Sequence, residues 1–135
     1  MRTVVIAVGR LRPPYADDVA HYQKLLARHT RLELIELRES EQVPGRVPER
    51  AFVVGLDSGG TTFDSHRFSE FLAERRMASL DLCFIVGGPR GLELDRRDLS
   101  LSFGPMTLPH QLARVVLLEQ IYRAHKILAN EPYHY

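Results

Sequence analysis

The sequence predicts an α/β fold, a mostly parallel sheet with helices on both faces. Three observations carry that prediction. Four short segments rich in β-branched residues, 3–8, 32–37, 51–56 and 82–86, punctuate the chain, and three of them are nearly continuous apolar runs. That is the pattern of strands covered on both sides. Helical periodicity fills two of the three intervals between them, and one long apolar helix dominates the last third.

The first run ends at Gly9-Arg10, short of the ~7–15 apolar residues and cleavage site of a signal sequence, and reads as a strand. Over 14–30, Val19, Tyr22, Leu25, Leu26 and His29 recur at helical spacing. Asp17 and Asp18 stand near its start, where acids suit the positive end of the helix dipole. The second strand carries Glu33 and Glu36 and reads as an edge. Only residues 38–50 separate it from the third, and Pro44 and Pro48 argue against a helix there. Parallel crossovers take about a dozen residues or more, usually helical, so this one is shortened, a polar loop with at most one helical turn.

Asp64 or Ser65 caps a helix through Ala78, with Phe68, Phe71 and Leu72 on its inner face. After the fourth strand, 95–100 reads as a short helical turn and 101–105 as a small, apolar, kinked loop. Pro109 suits the first position of a helix that runs to about Ala129 and that Pro132 ends, ~30 Å at 1.5 Å per residue. Its apolar positions Leu112, Val115, Val116, Leu117, Leu118, Ile121, Tyr122, Ala124, Ile127 and Leu128 wrap most of the circumference. Such a helix needs cover on both sides, some of it from a second copy of the chain.

At 135 residues, with 44% hydrophobic and 26% charged, the chain reads as a single domain over 1–135, not a disordered protein. Eighteen basic against seventeen acidic residues exclude a bulk electrostatic grip on nucleic acid. The balance is uneven along the chain: residues 1–31 hold six basic and two acidic groups, including Arg10 and Arg12 just after the first strand. No apolar run approaches the ~20 residues of a membrane span. The lone Cys83, in an apolar run, excludes an internal disulfide and reads as a small buried hydrophobe in a cytoplasmic protein. His110, His125 and His134 lack metal-ligand spacing, so no metal is expected.

Gly87-Gly88-Pro89-Arg90-Gly91 follows the fourth strand, and Leu56-Asp57-Ser58-Gly59-Gly60 forms a second strand-end loop. Glycines there let backbone amides approach a ligand, and the two loops together suggest one crevice. Neither matches a dinucleotide fingerprint or a P-loop. On the last helix, Arg123 stands four residues after Glu119, the spacing of an ion pair. The terminal Pro132-Tyr133-His134-Tyr135 carries aromatics that can stack on a base, or simply dock or fray.

In this order the pieces resemble a known family. The strings Phe84-Ile85-Val86-Gly87-Gly88-Pro89-Arg90-Gly91-Leu92, Leu101-Ser102-Phe103, Met106-Thr107-Leu108-Pro109-His110-Gln111-Leu112-Ala113-Arg114-Val115, Glu119-Gln120-Ile121-Tyr122-Arg123-Ala124 and Pro132-Tyr133-His134 closely resemble the RlmH family. Ala7-Val8-Gly9 and Val54-Gly55-Leu56-Asp57 fit as well. Outside 38–50, the resemblance covers the whole chain.

The resemblance implies a SPOUT-class homodimeric methyltransferase with a C-terminal trefoil knot. It would use S-adenosylmethionine to methylate N3 of a pseudouridine in large-subunit (23S) ribosomal RNA, on the subunit or the assembled ribosome. By motif position it assigns cofactor contacts to Leu56, Gly87, Phe103, Gly104, Pro105, Met106, Thr107 and Leu108. Candidates for handling the acceptor are His110, Arg123, Tyr133 and His134, with Tyr133 and His134 acting across the dimer. Three departures stand out: the 38–50 connection is shorter than the family's, Arg90 and Gly104-Pro105 replace commoner residues, and the chain ends in Tyr135 instead of Lys or Arg. A non-catalytic dimeric RNA- or ribosome-binding module with the same fold is the rival reading. A small α/β enzyme using a nucleotide at residues 87–91 is a third.

Overall fold

The computed structural model describes residues 1–88, 94 and 96–133. Five strands, β1 (Arg2–Val8), β2 (Arg31–Leu37), β3 (Ala51–Thr62), β4 (Asp81–Val86) and β5 (Leu99–Ser102), form one sheet in the order β2-β1-β4-β3-β5. Every pairing is parallel. Three helices accompany them, α1 (Tyr15–Leu26), α2 (Ser65–Met77) and α3 (His110–Leu128). The acid-bearing β2 is an edge, as Glu33 and Glu36 predict: both side chains reach water.

Local chemistry sets the helix ends. Asp64 caps α2, its carboxylate accepting from the Arg67 amide at 2.7 Å. The first helix stops at Leu26, short of the expected Thr30. The amides of His29 and Thr30 turn back to the Leu26 carbonyl, and the Thr30 hydroxyl donates to the Met1 carbonyl at 2.7 Å. Pro109 is the residue that enters α3, in an extended conformation, and the first helical residue is His110.

The strand order explains how the sheet is covered. Crossovers between parallel strands are right-handed, so connections running in opposite directions across the sheet lie on opposite faces. The moves β1 to β2 and β3 to β4 run the same way, and their helices α1 and α2 share a face with α3. There Val5, Ala7, Val54, Leu82, Phe84 and Val86 meet Val19, Leu26, Phe68, Phe71, Leu72, Leu117, Leu118 and Ile121. The moves β2 to β3 and β4 to β5 run the other way, and of the described residues in these connections Val43, Val47 and Leu94 pack on the second face. Two single 3-10 turns, Ser40–Gln42 and Pro44–Arg46, lie within the first of these connections. Its Val43 is fully buried against Val4, Ile6, Val8, Val53, Cys83 and Ile85, with Leu94 partly buried beside them. The expectation of helices on both faces is therefore refined. Among the described residues the α-helices sit on one face, and the shortened crossover supplies only 3-10 turns to the other.

A second correction concerns 95–105. Residues expected to make a helical turn and a kinked loop instead supply β5, which pairs with β3 from Val54↔Leu99 to Thr62↔Ser102 across a bulge. The expected strand-end loop at Gly59-Gly60 is likewise part of β3. Gly60 is required there, because a Cβ would come within 2.6 Å of the Ser100 carbonyl oxygen. Arg96 fastens this edge by donating to the carbonyls of Pro48, Glu49 and Ala51 at 2.7–3.0 Å. Asp98 adds two bonds, accepting from the Val53 amide at 2.7 Å and donating its own amide to the Val53 carbonyl at 2.8 Å.

Candidate functional site

The bulge of β3 and the C-terminal ends of β4 and β5 open onto a cleft of about 620 Å³, the side where open parallel sheets bind ligands. Leu56, Asp57 and Ser58 line it from β3, Val86, Gly87 and Gly88 from the end of β4, and Leu101 from β5. The loop between β5 and α3 closes it with Phe103, Gly104, Met106, Thr107, Leu108 and Pro109, and α3 adds His110 and Ala113. Seven of the eight residues assigned by resemblance to a cofactor thus share one cleft, and Pro105 lies outside its lining. Met106 is 82% exposed at the rim of the cleft.

The walls are built by close approaches. Gly104 takes φ +125°, a left-handed conformation open to glycine. Its amide donates to the Ser102 hydroxyl oxygen at 3.0 Å, and that hydroxyl reaches the Ser58 and Gly104 carbonyls at 3.0 and 2.9 Å. One buried side chain therefore ties the β3 bulge to the β5–α3 loop. Gly55 leaves room for the Arg97 guanidinium, which a Cβ would meet at 3.0 Å. Arg97 donates to the Ser100 hydroxyl at 3.0 Å and stands 3.8 Å from the Asp57 carboxylate, placing a charge pair at the cleft wall. Sequence reasoning missed Arg97, Leu101 and Ala113. They reach the cleft only because β5 pairs with β3 and α3 returns beside it, which local patterns do not encode.

His110 sits at the first turn of α3, its ring beside Gly9. Burial, then the charges of Arg114 and Arg12, hold its pKa below the ordinary imidazole value, so it is neutral at pH 7. Arg114 is buried, donating to the Gly9 carbonyl at 3.0 Å and to Glu36 at 3.2 Å. The end of β1 is thereby locked to α3.

Arg123 and Tyr133 form a separate cluster. Arg123 pairs with Glu119 at 2.7 Å, and its guanidinium lies 4.5 Å from the centre of the Tyr133 ring. The Tyr133 hydroxyl donates to the same Glu119 carboxylate at 3.0 Å, and its ring packs edge-on against Tyr122. Burial first, then Glu119, push the Tyr133 pKa far above the ordinary phenol value, so it stays protonated and donates. Arg123 stands thirteen positions after His110 on the helix, ~20 Å along the axis. Within one chain the structure does not bring His110 together with Arg123 and Tyr133. His134, with residues 89–93, 95 and 135, lies outside the described residues.

Among the described residues no three His, Cys, Asp or Glu side chains gather as a metal-binding group, and no helix is long and apolar enough to cross a membrane. Cys83 is fully buried, its thiol pKa pushed up to about 11 by burial.

Comparison with known proteins adds an independent line. The family described as Predicted SPOUT methyltransferase matches residues 1–134. A Carboxydothermus hydrogenoformans protein named Ribosomal RNA large subunit methyltransferase H is 37% identical over 158 positions, covering 99% of both chains. Proteins of the same name from Gemmatimonas aurantiaca and Streptococcus pneumoniae are 37% and 38% identical, again over 99% of both chains. The alignment of 158 positions exceeds this chain's 135 residues, so the first relative carries segments that are missing here.

Proposed function

The chain belongs to the SPOUT methyltransferase family, and on that premise we propose that it methylates N3 of a pseudouridine in large-subunit (23S) ribosomal RNA, taking the methyl group from S-adenosylmethionine. The observation that carries this reading is the single cleft at the strand ends, where Leu56, Gly87, Phe103, Gly104, Met106, Thr107 and Leu108 converge. About 620 Å³ lies within the ~300–1,000 Å³ of small-molecule sites. The lining also suits the group: Leu56, Met106 and Leu108 offer apolar walls, the 103–108 loop offers backbone donors and acceptors for an adenine edge, and Asp57 offers a carboxylate to a cationic ligand.

When bound, the cofactor supplies a methyl group already activated by its sulfonium. The protein's part is to align the acceptor nitrogen with that methyl, exclude water, and deal with the proton that N3 loses as the C–N bond forms. A neutral His110 at the cleft edge is able to accept a proton. The Arg123 guanidinium is suited to stabilising the anionic ring, and the protonated Tyr133 hydroxyl to donating a hydrogen bond. Base recognition in unpaired RNA uses stacking surfaces and edge hydrogen bonds, which Tyr133 and His134 supply in this reading.

The ~20 Å between His110 and Arg123 along α3 supports a homodimer in which one copy's cleft meets its partner's tail. Leu112, Val115, Val116 and Ile127 on α3 keep partly exposed apolar surface for such a contact. Titration with S-adenosylmethionine followed by transfer of labelled methyl to ribosomes tests the reading. Micromolar binding and labelled large-subunit RNA are expected. Ribosome binding without cofactor binding would favour the non-catalytic module.

A further inference from the structure

The turn that follows β1 is held more tightly than a surface loop usually is. Gly9 takes φ +109°, and its amide donates to the Leu37 carbonyl at 2.8 Å while its carbonyl accepts from Arg114 at 3.0 Å. The buried Gln111 side chain grips the next residues from α3, donating to the Arg10 carbonyl at 2.7 Å and accepting from the Arg12 amide at 2.7 Å. The Leu11 amide donates to Glu36 at 2.9 Å, and the Arg12 carbonyl accepts from Ala16 at 3.1 Å. Six backbone groups within four residues are thus satisfied by three different elements.

The exposed side chains of this turn, Arg10 and Arg12, are cationic, and among the described residues neither has an ion-pair partner. Arg114, the basic side chain that reaches this turn from α3, is by contrast paired with Glu36. The turn also adjoins the cleft: Gln111 follows His110 in the chain, and the Arg12 charge is felt at the His110 ring. An arginine whose backbone is already immobile loses less freedom on binding, and its planar fork matches phosphate oxygens.

We propose that the 9–12 turn is a preformed phosphate clamp, in which Arg10 and Arg12 contact the RNA backbone beside the nucleotide presented to the cleft. This rests on the reading of the chain as an RNA methyltransferase and adds the surface by which the RNA is held. It also accounts for a nearly neutral chain acting on RNA, because two fixed charges at the mouth do locally what net charge does not.

The test compares the parent with Arg10→Gln/Arg12→Gln and with Arg10→Lys/Arg12→Lys, using ribosomes, deproteinised large-subunit RNA and S-adenosylmethionine. For the Gln pair we expect cofactor affinity within about twofold of the parent and KM for ribosomes raised about tenfold. The slope of log affinity for RNA against log salt should flatten by about 1.4–1.8, near 0.7–0.9 per lost phosphate contact. The Lys pair should keep the slope. With an active parent, an unchanged KM and slope in the Gln pair overturns the clamp alone. A raised KM on ribosomes with undiminished binding to naked RNA also overturns it, by placing the contact on protein. A parent that binds no RNA overturns the functional reading together with the clamp.

Discussion

The Tyr133 hydroxyl donates to Glu119 Oε2 at 3.0 Å, on the carboxylate that also holds the Arg123 guanidinium. Tyr133 is therefore held at the middle of α3, outside the lining of its own chain's cleft. If catalysis needs both regions, two copies must supply them.

Mixing two inactive variants tests this. His110→Ala and Arg123→Ala should each lower methyl transfer to ribosomes by at least ~100-fold, the low end for positioned acid–base groups. Unfolded together and refolded at equal amounts, they should regain about a quarter of the parent activity, since half the two-fold dimers would be mixed and each would hold one intact site. No recovery, with mixed dimers shown by mass, would place both residues in one chain's site.

His125 gives the fold a pH dependence. It is 3% exposed, stacked on His29 and 3.2 Å from Arg76, and burial first, then Arg76, His29 and the amino terminus, lowers its pKa to about 4. An unfolded imidazole titrates near ~6.5. Between those values the unfolded chain binds a proton that the folded chain refuses, so stability falls as pH falls. The loss from this group should be of order 3 kcal/mol by pH 4. Urea unfolding at pH 7.5, 6, 5 and 4 should show a shallower decline in His125→Phe, and parallel declines would contradict the assignment.

How much of this was legible beforehand differs by element. The continuous apolar runs of β1 and β4 are readable because both faces of these central strands are covered, and the edge position of β2 because water tolerates Glu33 and Glu36. The Leu99-Ser100-Leu101-Ser102 strand is too short and too polar to stand out, and the glycines of the β3 bulge read as a loop. Which face carries α1 and α2 follows from strand order combined with crossover handedness, a long-range property that no window of sequence holds. Cleft residues such as Phe103 and Thr107 were named from family resemblance, whereas Arg97 carried no signal at all.

The β3 bulge supplies a second mutational test. Gly60→Ala should cost about 1–3 kcal/mol, because the new methyl would press on the Ser100 carbonyl. It should also weaken cofactor binding, since Leu56 and Leu101 lie on the two strands forced apart. Gly45→Ala, whose Cβ would meet nothing within 4 Å, should leave both unchanged. Denaturant midpoints and a binding titration read the two effects.

The shortened crossover rests on Val43, which is fully buried against the second face. Val43→Ala should lower stability by about 1–3 kcal/mol through lost burial and the cavity it leaves, while cofactor affinity stays near the parent value. Glu41→Ala, on the exposed side of the same connection, should stay within about 0.5 kcal/mol. Equal losses in both would mean that the connection is not a packed cover.

The central claim is the methylation of one pseudouridine in large-subunit ribosomal RNA. Mass spectrometry of that RNA, from cells lacking this chain and from the same cells with it restored, tests the claim most directly. The account predicts one pseudouridine lighter by a single methyl group in the deletion, and its mass regained on restoration. An identical modification profile in both RNAs would contradict it.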